Sequence, residues 1–425
     1  MPIVKLPYGG GEIQFDVENS RVIDTLIPHE LEVSGDAYSI TQTALTHPVD
    51  GTRIRDFTKK DSSIVIVADD YTRPTPAGPI VRAILDELNS LGVDDSRVTI
   101  VTASGLHRRM EEAELSSKFG GDVLGRVEVI CHDAWDDGQN EEVGRTSRGT
   151  PVWVNKRVLK ADLRITIGMI TAHFTAGYGG GPKTILPGVS GYRTIFYNHA
   201  NLQSSPSARI GILEGNPSWE DTVETLRFLG PTLAVNVVLG TKNEVVGAFH
   251  GRPVAAQEAG VRLYHSIYAF KVKERADIVI ASANPEHFYL DQCLKTIIPM
   301  SMFVKDRGIR IIASPCSEHL GPAYVREVYY DSLRPTWPRP EDYEARMKGG
   351  KLKDVGDAVG ILKLLQSHNS DMFFVSDSSF EPDLTALGFA YRNSIQEALA
   401  EATQKLGSDS KVLIVPYGPI TLPIT

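Results

Sequence analysis

The chain has 425 residues, 42% of them hydrophobic and 23% charged, with a formal net charge of −9 at pH 7. That length suggests two or three domains with full cores, and the acidic balance disfavours nonspecific binding to nucleic acid. No run of about 18 apolar residues offers a membrane span, and three scattered cysteines (Cys131, Cys293, Cys316) form no CxxC pair or disulfide framework, so a reducing cytoplasm is the expected compartment.

In chain order, apolar β-branched runs alternate with amphipathic stretches. Residues 63–68 read as a buried strand, followed by a proline-rich turn and a helix over about 79–91. A strand is predicted at 97–102, a helix at 109–119, and further strands at 126–131 and 163–168. Continuous apolar strands separated by helices indicate a parallel sheet covered on both faces. Residues 232–239 and 244–249 read as a hairpin, and a long helix is expected over 255–274. A second α/β pattern follows: strand 277–282, helix 290–305, strands 309–313 and 371–375, helix 394–406 and strand 411–415. Residues 334–340, with three prolines, read as an exposed excursion.

The expected fold class is α/β, with two domains of mainly parallel sheet joined by two linking helices and an active site in the cleft between the domains. Residues 1–260 with 408–425 are expected to form a cofactor-binding domain and 276–390 the second domain. The linkers are placed at 261–275 and 391–407, and the last strand is expected to return to the first domain.

In parallel sheets of this kind ligands bind beyond the carboxyl ends of the strands, and polar clusters occupy those ends. Asp69-Asp70-Tyr71-Thr72-Arg73 follows the first strand; its carboxylates, hydroxyl and guanidinium fork can orient a polar ligand or cap a helix. Ser104-Gly105-Leu106-His107-Arg108 follows the second, placing His107 at the ligand edge or on a capped turn. After the fourth come His173, the run Gly177-Tyr178-Gly179-Gly180-Gly181-Pro182-Lys183-Thr184, then Pro187-Gly188 and His199. Glycine-rich backbone can approach a ligand closely and aim N–H groups at an anion. Lys183 adds a cation or nucleophile at the mouth of that loop, and the flanking histidines suit proton transfer or metal ligation.

The glycine run has Walker A spacing except that Pro182 replaces the second glycine, and proline has no N–H to give a phosphate. A phosphate-loop nucleotide-binding protein or kinase is therefore the weaker alternative, and a cofactor-free carboxylate-binding protein is a third. Neither HExxH nor HxxxH is present to support a zinc hydrolase. Cys131-His132-Asp133 with Asp136 and Asp137 reads as an acidic surface loop. Gln292 and Lys295 share a helix face, where they would suit a carboxylate near the helix N-terminus or form a solvated surface.

Taken together, Asp69 to Pro76, Ser104 to Arg108, His173 to Lys183, Leu186-Pro187-Gly188, Asn198-His199 and Gln292-x-x-Lys295 resemble, in order, the lactate racemase family, the nickel-pincer nucleotide enzymes. The likeness covers nearly the whole chain, and its most specific part is His173-x9-Lys183-x15-His199 with the glycine run. It implies a racemase or epimerase that inverts C2 of a 2-hydroxy acid by proton-coupled hydride transfer, through a 2-oxo acid. The implied cofactor is pyridinium-3,5-bisthiocarboxylic acid mononucleotide, which holds nickel through two sulfurs and a ring carbon. Lys183 would form its covalent thioamide and His199 would be the fourth nickel ligand. Asp70, Thr72, Gly177, Gly179, Gly180, Gly181, Pro187 and Gly188 would hold the nucleotide. His107 and His173 would be the general acid/base pair, one for each enantiomer, and Arg73, Gln292 and Lys295 would orient the substrate. The implied partners are the substrate and the cofactor-synthesis enzymes, with no nucleic acid and no membrane.

The chemistry is consistent with those roles. A lysine of ordinary pKa ~10.4 must become neutral to be acylated, and neutral imidazole suits nickel. Before Gln292 the chain reads Glu286-His287-Phe288-Tyr289-Leu290-Asp291, less apolar than a lactate enzyme is expected to be. Asp291 would disfavour a second substrate carboxylate or bond extra hydroxyls, and His287 and Tyr289 suit a larger polar substrate. Lactate, malate-like diacids and sugar acids such as gluconate all remain open.

Overall fold

The structure, a computed structural model, describes all residues except Met1, Pro2, Pro322, Pro335, Lys353, Asp354 and Thr425, and not the side chains of Ala323, Tyr324, Val355 and Asp357. Its main strands begin with β1 (Val22–Thr25). Next come β2 (Ile64–Asp69), β3 (Val98–Ala103), β4 (Glu128–Cys131), β5 (Leu163–Met169), β6 (Thr232–Leu239) and β7 (Val245–Gly251). These six form one sheet in the order β7-β6-β5-β2-β3-β4, parallel except for the β6–β7 hairpin. Every residue of β2 and β5 is buried, as central parallel strands covered on both faces must be. The order is doubly wound, with its switch point between β2 and β5.

Four helices of this unit are α1 (Ala37–Thr46), α2 (Ala77–Ser90), α3 (Glu112–Leu124) and α4 (Pro253–Tyr268). On α2, Ile80, Val81, Ile84, Leu85 and Leu88 recur at three- and four-residue spacing and are all fully buried. They pack with Ile64, Ile66, Ile100 and Ile165 of the sheet in one hydrophobic cluster.

The second sheet joins β8 (Ala276–Ser282), β9 (Val304–Ala313), β10 (Asp371–Val375), β11 (Ala390–Arg392) and β12 (Val412–Val415) to β1. Its order is β11-β10-β9-β8-β12-β1 and all its pairings are parallel. Its helices are α5 (Leu290–Met300), α6 (Ala323–Leu333), α7 (Pro340–Lys348), α8 (Val355–Gln366) and α9 (Ile395–Leu406). The chain thus divides into a central unit, Glu30–Thr171 with Thr175–Ile267, and a terminal unit, Met1–His29 and Tyr268–Thr425 with Ala172–Phe174.

Several sequence expectations change. The last strand does not return to the first sheet; β12 pairs with β8 and β1 in the terminal unit. Residues 391–407 are no linker either, because Ile395, Ala398, Leu399 and Ala402 of α9 sit in the core of the second sheet. The helix expected over 290–305 ends at Met300, and extended chain resumes at Val304. The expected 334–340 excursion is exposed at Arg334, Thr336 and Arg339 but anchored at Trp337, which donates Nε1–H to the Leu387 carbonyl at 2.6 Å and meets Phe389 edge-on at 5.2 Å. Pro335 lies outside the described residues. Among the described residues no helix is long and apolar enough to cross a membrane.

Candidate active site

The switch point of the central sheet gathers the segments that end β2, β3 and β5. Leaving β2, the chain folds back on Asp70: the Thr72 amide and hydroxyl both donate to Oδ1, at 3.1 and 2.5 Å. Lys118 of α3 pins the turn from behind. Its Nζ lies 2.8 Å from Asp69 Oδ1 and donates to the carbonyls of Asp70 and Arg73 at 2.9 and 2.8 Å.

The other oxygen of Asp70, Oδ2, lies 2.7 Å from His107 Nδ1. Burial works against the ionised carboxyl, but the His107 ring, the Arg73 guanidinium and the Thr72 hydroxyl outweigh it and hold Asp70 at about 2. An ionised Asp70 accepts from Nδ1–H, which leaves the lone pair of neutral His107 on Nε2. The His107 loop is itself fixed, by His107 N–H to the Ser104 carbonyl and Gly105 N–H to the Gly188 carbonyl, both 2.9 Å. Pro187 and Gly188 thus brace that loop, and Asp70 and Thr72 orient a histidine; the sequence showed neither role.

The glycine run is packed tightly. At Gly177 (φ +78°) an added Cβ would lie 2.1 Å from the Ile212 carbonyl oxygen, and at Gly181 (φ +52°) it would lie 2.7 Å from Gln257 Cβ. Gln257 of α4 donates to the carbonyls of Gly179 and Gly180 at 3.0 and 3.2 Å while accepting from Trp219 Nε1 at 2.9 Å. The Gly181 amide donates to Asn236 Oδ1 at 2.9 Å. The amides of Tyr178, Gly179 and Lys183 donate to the carbonyls of Ala176, Thr171 and Gly180 at 3.0, 2.8 and 3.1 Å. Four loop amides are therefore committed inside the fold. These bonds count against an anion cradle built from those four amides, and against the phosphate-loop alternative. The glycines permit close packing, and the result is a rigid mount for Lys183.

Lys183 is half-buried, yet enclosed enough that desolvation pushes its pKa well below that of an ordinary lysine, helped by the nearby Arg73 charge. His199 lies in a wide, π-helical turn, Asn198–Gln203, a geometry frequent at functional sites. Desolvation, then the Lys183 charge, lowers its pKa to about 3 against weaker support from the Ile195 carbonyl. Once Lys183 is uncharged the second cause lapses and burial remains. Gln203 places Nε2 3.3 Å from His199 Nδ1 and accepts from the Thr175 hydroxyl at 2.8 Å. Asn198 is anchored by Asp221 and Ser218, each at 2.9 Å. Near neutral pH the central unit thus holds an uncharged imidazole and, beside Arg73, an amine whose charge is strongly disfavoured by burial.

The remaining expected residues belong to the terminal unit. His173 stacks on Phe174 with ring centroids 5.0 Å apart. On α5, Lys295 donates to Gln292 Oε1 at 2.6 Å, Gln292 donates to the Tyr289 hydroxyl at 3.0 Å, and Lys295 is ion-paired with Glu286. The solvated-face alternative for Gln292 and Lys295 fails, since Gln292 is 8% exposed. Asp291 accepts from the Tyr329 hydroxyl at 3.3 Å, and Glu286 takes the lysine. The 131–137 segment is acidic and exposed only in part. His132 is fully buried, with Nε2 3.0 Å from the Ser190 carbonyl and Nδ1 3.2 Å from Asn155 Nδ2. Lys118, Gln203, Gln257 and Glu286 are the site residues that sequence reasoning missed.

Fold and site together define a class: doubly wound α/β units, one of which presents a desolvated lysine and an uncharged imidazole at its switch point. The family description "Lactate racemase N-terminal domain" matches residues 8–211. The lactate racemase of Thermoanaerobacterium thermosaccharolyticum is 28% identical over 424 residues, 98% of each chain. That of Lactiplantibacillus plantarum is 29% identical over 430 residues, 98% of this chain and 99% of that one. The structure of the T. thermosaccharolyticum lactate racemase apoprotein aligns over all of both chains with a TM-score of 0.90 at 27% identity. A Thermotoga maritima protein, 16% identical with a TM-score of 0.68 over 92% of this chain and all of its own, shares the fold. The chain is similar to lactate racemases over nearly its whole length, and to the N-terminal domain of that family over residues 8–211.

Proposed function

We propose that this protein inverts the C2 stereocentre of a 2-hydroxy acid, using a nickel-pincer nucleotide attached through Lys183. The observation that carries the reading is the pairing of an enclosed Lys183, its pKa pushed well down by burial, with an uncharged His199 beside an Asp70-anchored His107. The residues fit the group. An amine freed of its charge can be acylated, and a nickel that arrives with its own organic ligands asks the protein for one donor, which His199 offers. When bound, the nucleotide supplies the electron-poor centre that accepts a hydride from C2 and returns it, by way of a planar 2-oxo acid.

The chain's own residues then handle the proton and the carboxylate. His107, with Nδ1 held by Asp70, takes the substrate hydroxyl proton at Nε2 and gives it back. His173 is the proposed counterpart for the opposite enantiomer. The Arg73 fork suits the substrate carboxylate, with Gln292 and Lys295 as further substrate contacts. Protein produced alongside the cofactor-synthesis enzymes should show, by intact mass, a covalent adduct that maps to Lys183, bind nickel, and racemise or epimerise 2-hydroxy acids on chiral chromatography. Absence of both adduct and nickel under those conditions would refute the reading.

A further inference from the structure

We infer that the side chains beyond β8 of the terminal unit form a subsite that reads hydroxyl groups, and that the substrate is accordingly a polyhydroxylated 2-hydroxy acid of the aldonic type. The reaction in this inference rests on the racemase reading above; the recognition chemistry does not.

In the order β11-β10-β9-β8-β12-β1 the connections diverge between β8 and β12, where ligands of doubly wound sheets lie. The chain leaving β8 carries Glu286 and Tyr289 and enters α5 with Gln292 and Lys295. Lys295 and Glu286 are ion-paired with side chains only 12% and 10% exposed, so the lysine charge is already answered inside the protein. A second substrate carboxylate brought to Lys295 would meet Glu286, a like charge in a poorly solvated place. A methyl group would strip solvent from these polar atoms and return no bond. A hydroxyl both donates and accepts, and the set offers it both: carboxylate oxygens on Glu286, N–H groups on Lys295 and Gln292, and the Tyr289 hydroxyl. Two neighbours extend the match. His287 Nδ1 is buried without a hydrogen-bond partner among the described residues. Phe288, 49% exposed, lies against the His287 ring at 4.5 Å and gives an apolar surface for the C–H face of a polyol chain.

The test uses cofactor-loaded protein with gluconate, lactate and malate as probes, reading affinity by calorimetry and inversion by chiral chromatography. Gluconate should bind about 10-fold or more tighter than either other acid. Glu286→Gln, which leaves the Lys295 charge unanswered, should weaken gluconate about 10-fold and strengthen malate by a similar factor. Should that variant fold poorly, Tyr289→Phe removes a single hydroxyl and should lower the gluconate-to-lactate affinity ratio about fivefold. Preference for lactate or malate in the unaltered protein, or variants that shift all three acids alike, overturns the inference. Tight gluconate binding without inversion would sink the racemase reading and leave the subsite standing; inversion with lactate as the best ligand would do the reverse.

Discussion

Lys183 and Lys295 both follow a parallel strand in a doubly wound sheet, and their surroundings treat them in opposite ways. Around Lys183 the protein removes water and supplies another cation, Arg73, so the charged form of the amine is disfavoured. Around Lys295 it removes water and supplies Glu286, so the charge is matched. Desolvation is common to both, and the partner decides the chemistry. A buried amine without a counter-ion becomes a nucleophile, whereas a buried amine with one becomes a fixed dipole that recognises neutral polar groups. The same contrast holds for carboxylates: Glu286 answers an ammonium, while Asp70 orients an imidazole that can still exchange a proton.

The largest effect should come from Lys183→Arg, which keeps a basic side chain but offers no acylable amine. Adduct and turnover should both fall to background, and retention of either would show that the uncharged amine is not the attachment point. His107→Ala should keep the adduct and lower kcat by about 10³-fold, the usual weight of a general acid/base. Asp70→Asn comes next. The Thr72 amide and hydroxyl both donate to Oδ1, so the asparagine oxygen must occupy that position and its NH₂ must face His107 Nδ1. That contact makes Nδ1 the acceptor and moves the proton to Nε2, where it blocks base catalysis. A kcat lower by about 100-fold, not recovered at higher pH, is expected; a normal pH–rate profile would reduce Asp70 to a packing role.

Burial of an imidazole does not by itself make a site, and His132 sharpens the point against His199. Desolvation holds His132 at about 4, below its ordinary 6.5. As pH falls through 6.5 the unfolded chain takes up a proton that the folded chain refuses, so stability falls between pH 6.5 and 4, by about 3 kcal/mol over the full window. His199 adds a loss of the same sign down to about 3. Asp70, depressed from 3.8 to about 2, contributes stability that begins to fall only below that window. His132→Gln can still donate to the Ser190 carbonyl and accept from Asn155. It should shrink the difference in urea stability between pH 7 and pH 5 by about 2 kcal/mol, with turnover at pH 7 little changed.

The sequence made the central sheet legible because its strands are buried on both faces and its motifs sit at their ends. The terminal unit was harder. Its sheet is assembled from the far ends of the chain, Val22–Thr25 and Val412–Val415, and no local pattern encodes a pairing across nearly 400 residues. α6, α7 and α8 lie between β9 and β10 on short, weakly amphipathic segments, so periodicity did not mark them. Among site residues, glycine, lysine and histidine declared themselves by type and spacing. Gln257 and Glu286 did not, because an amide or carboxylate acting on a loop distant in sequence, or on a helix nine residues away, carries no spacing signal. The glycine loop misled for a related reason: the sequence shows where a backbone can come close, and only the fold shows what it comes close to.

Gln257 gives the smallest effect and the finest probe of the mount. Its Nε2 holds the carbonyls of Gly179 and Gly180, and its Oε1 takes the Trp219 N–H. Gln257→Ala leaves three enclosed polar groups without this partner, at a cost of about 1–3 kcal/mol in stability. Gln257→Glu still accepts from Trp219 but sets a carboxylate against two carbonyl oxygens. If the loop's only task is to stabilise the fold, adduct yield should follow melting temperature in both variants. If it fixes the direction of Lys183, Gln257→Glu should lower the modified fraction of Lys183, or the rate of its modification, about 10-fold, more than its loss of stability accounts for. That second outcome decides the role of the mount, because an amine whose charge is disfavoured acts as a specific nucleophile only if it is held still.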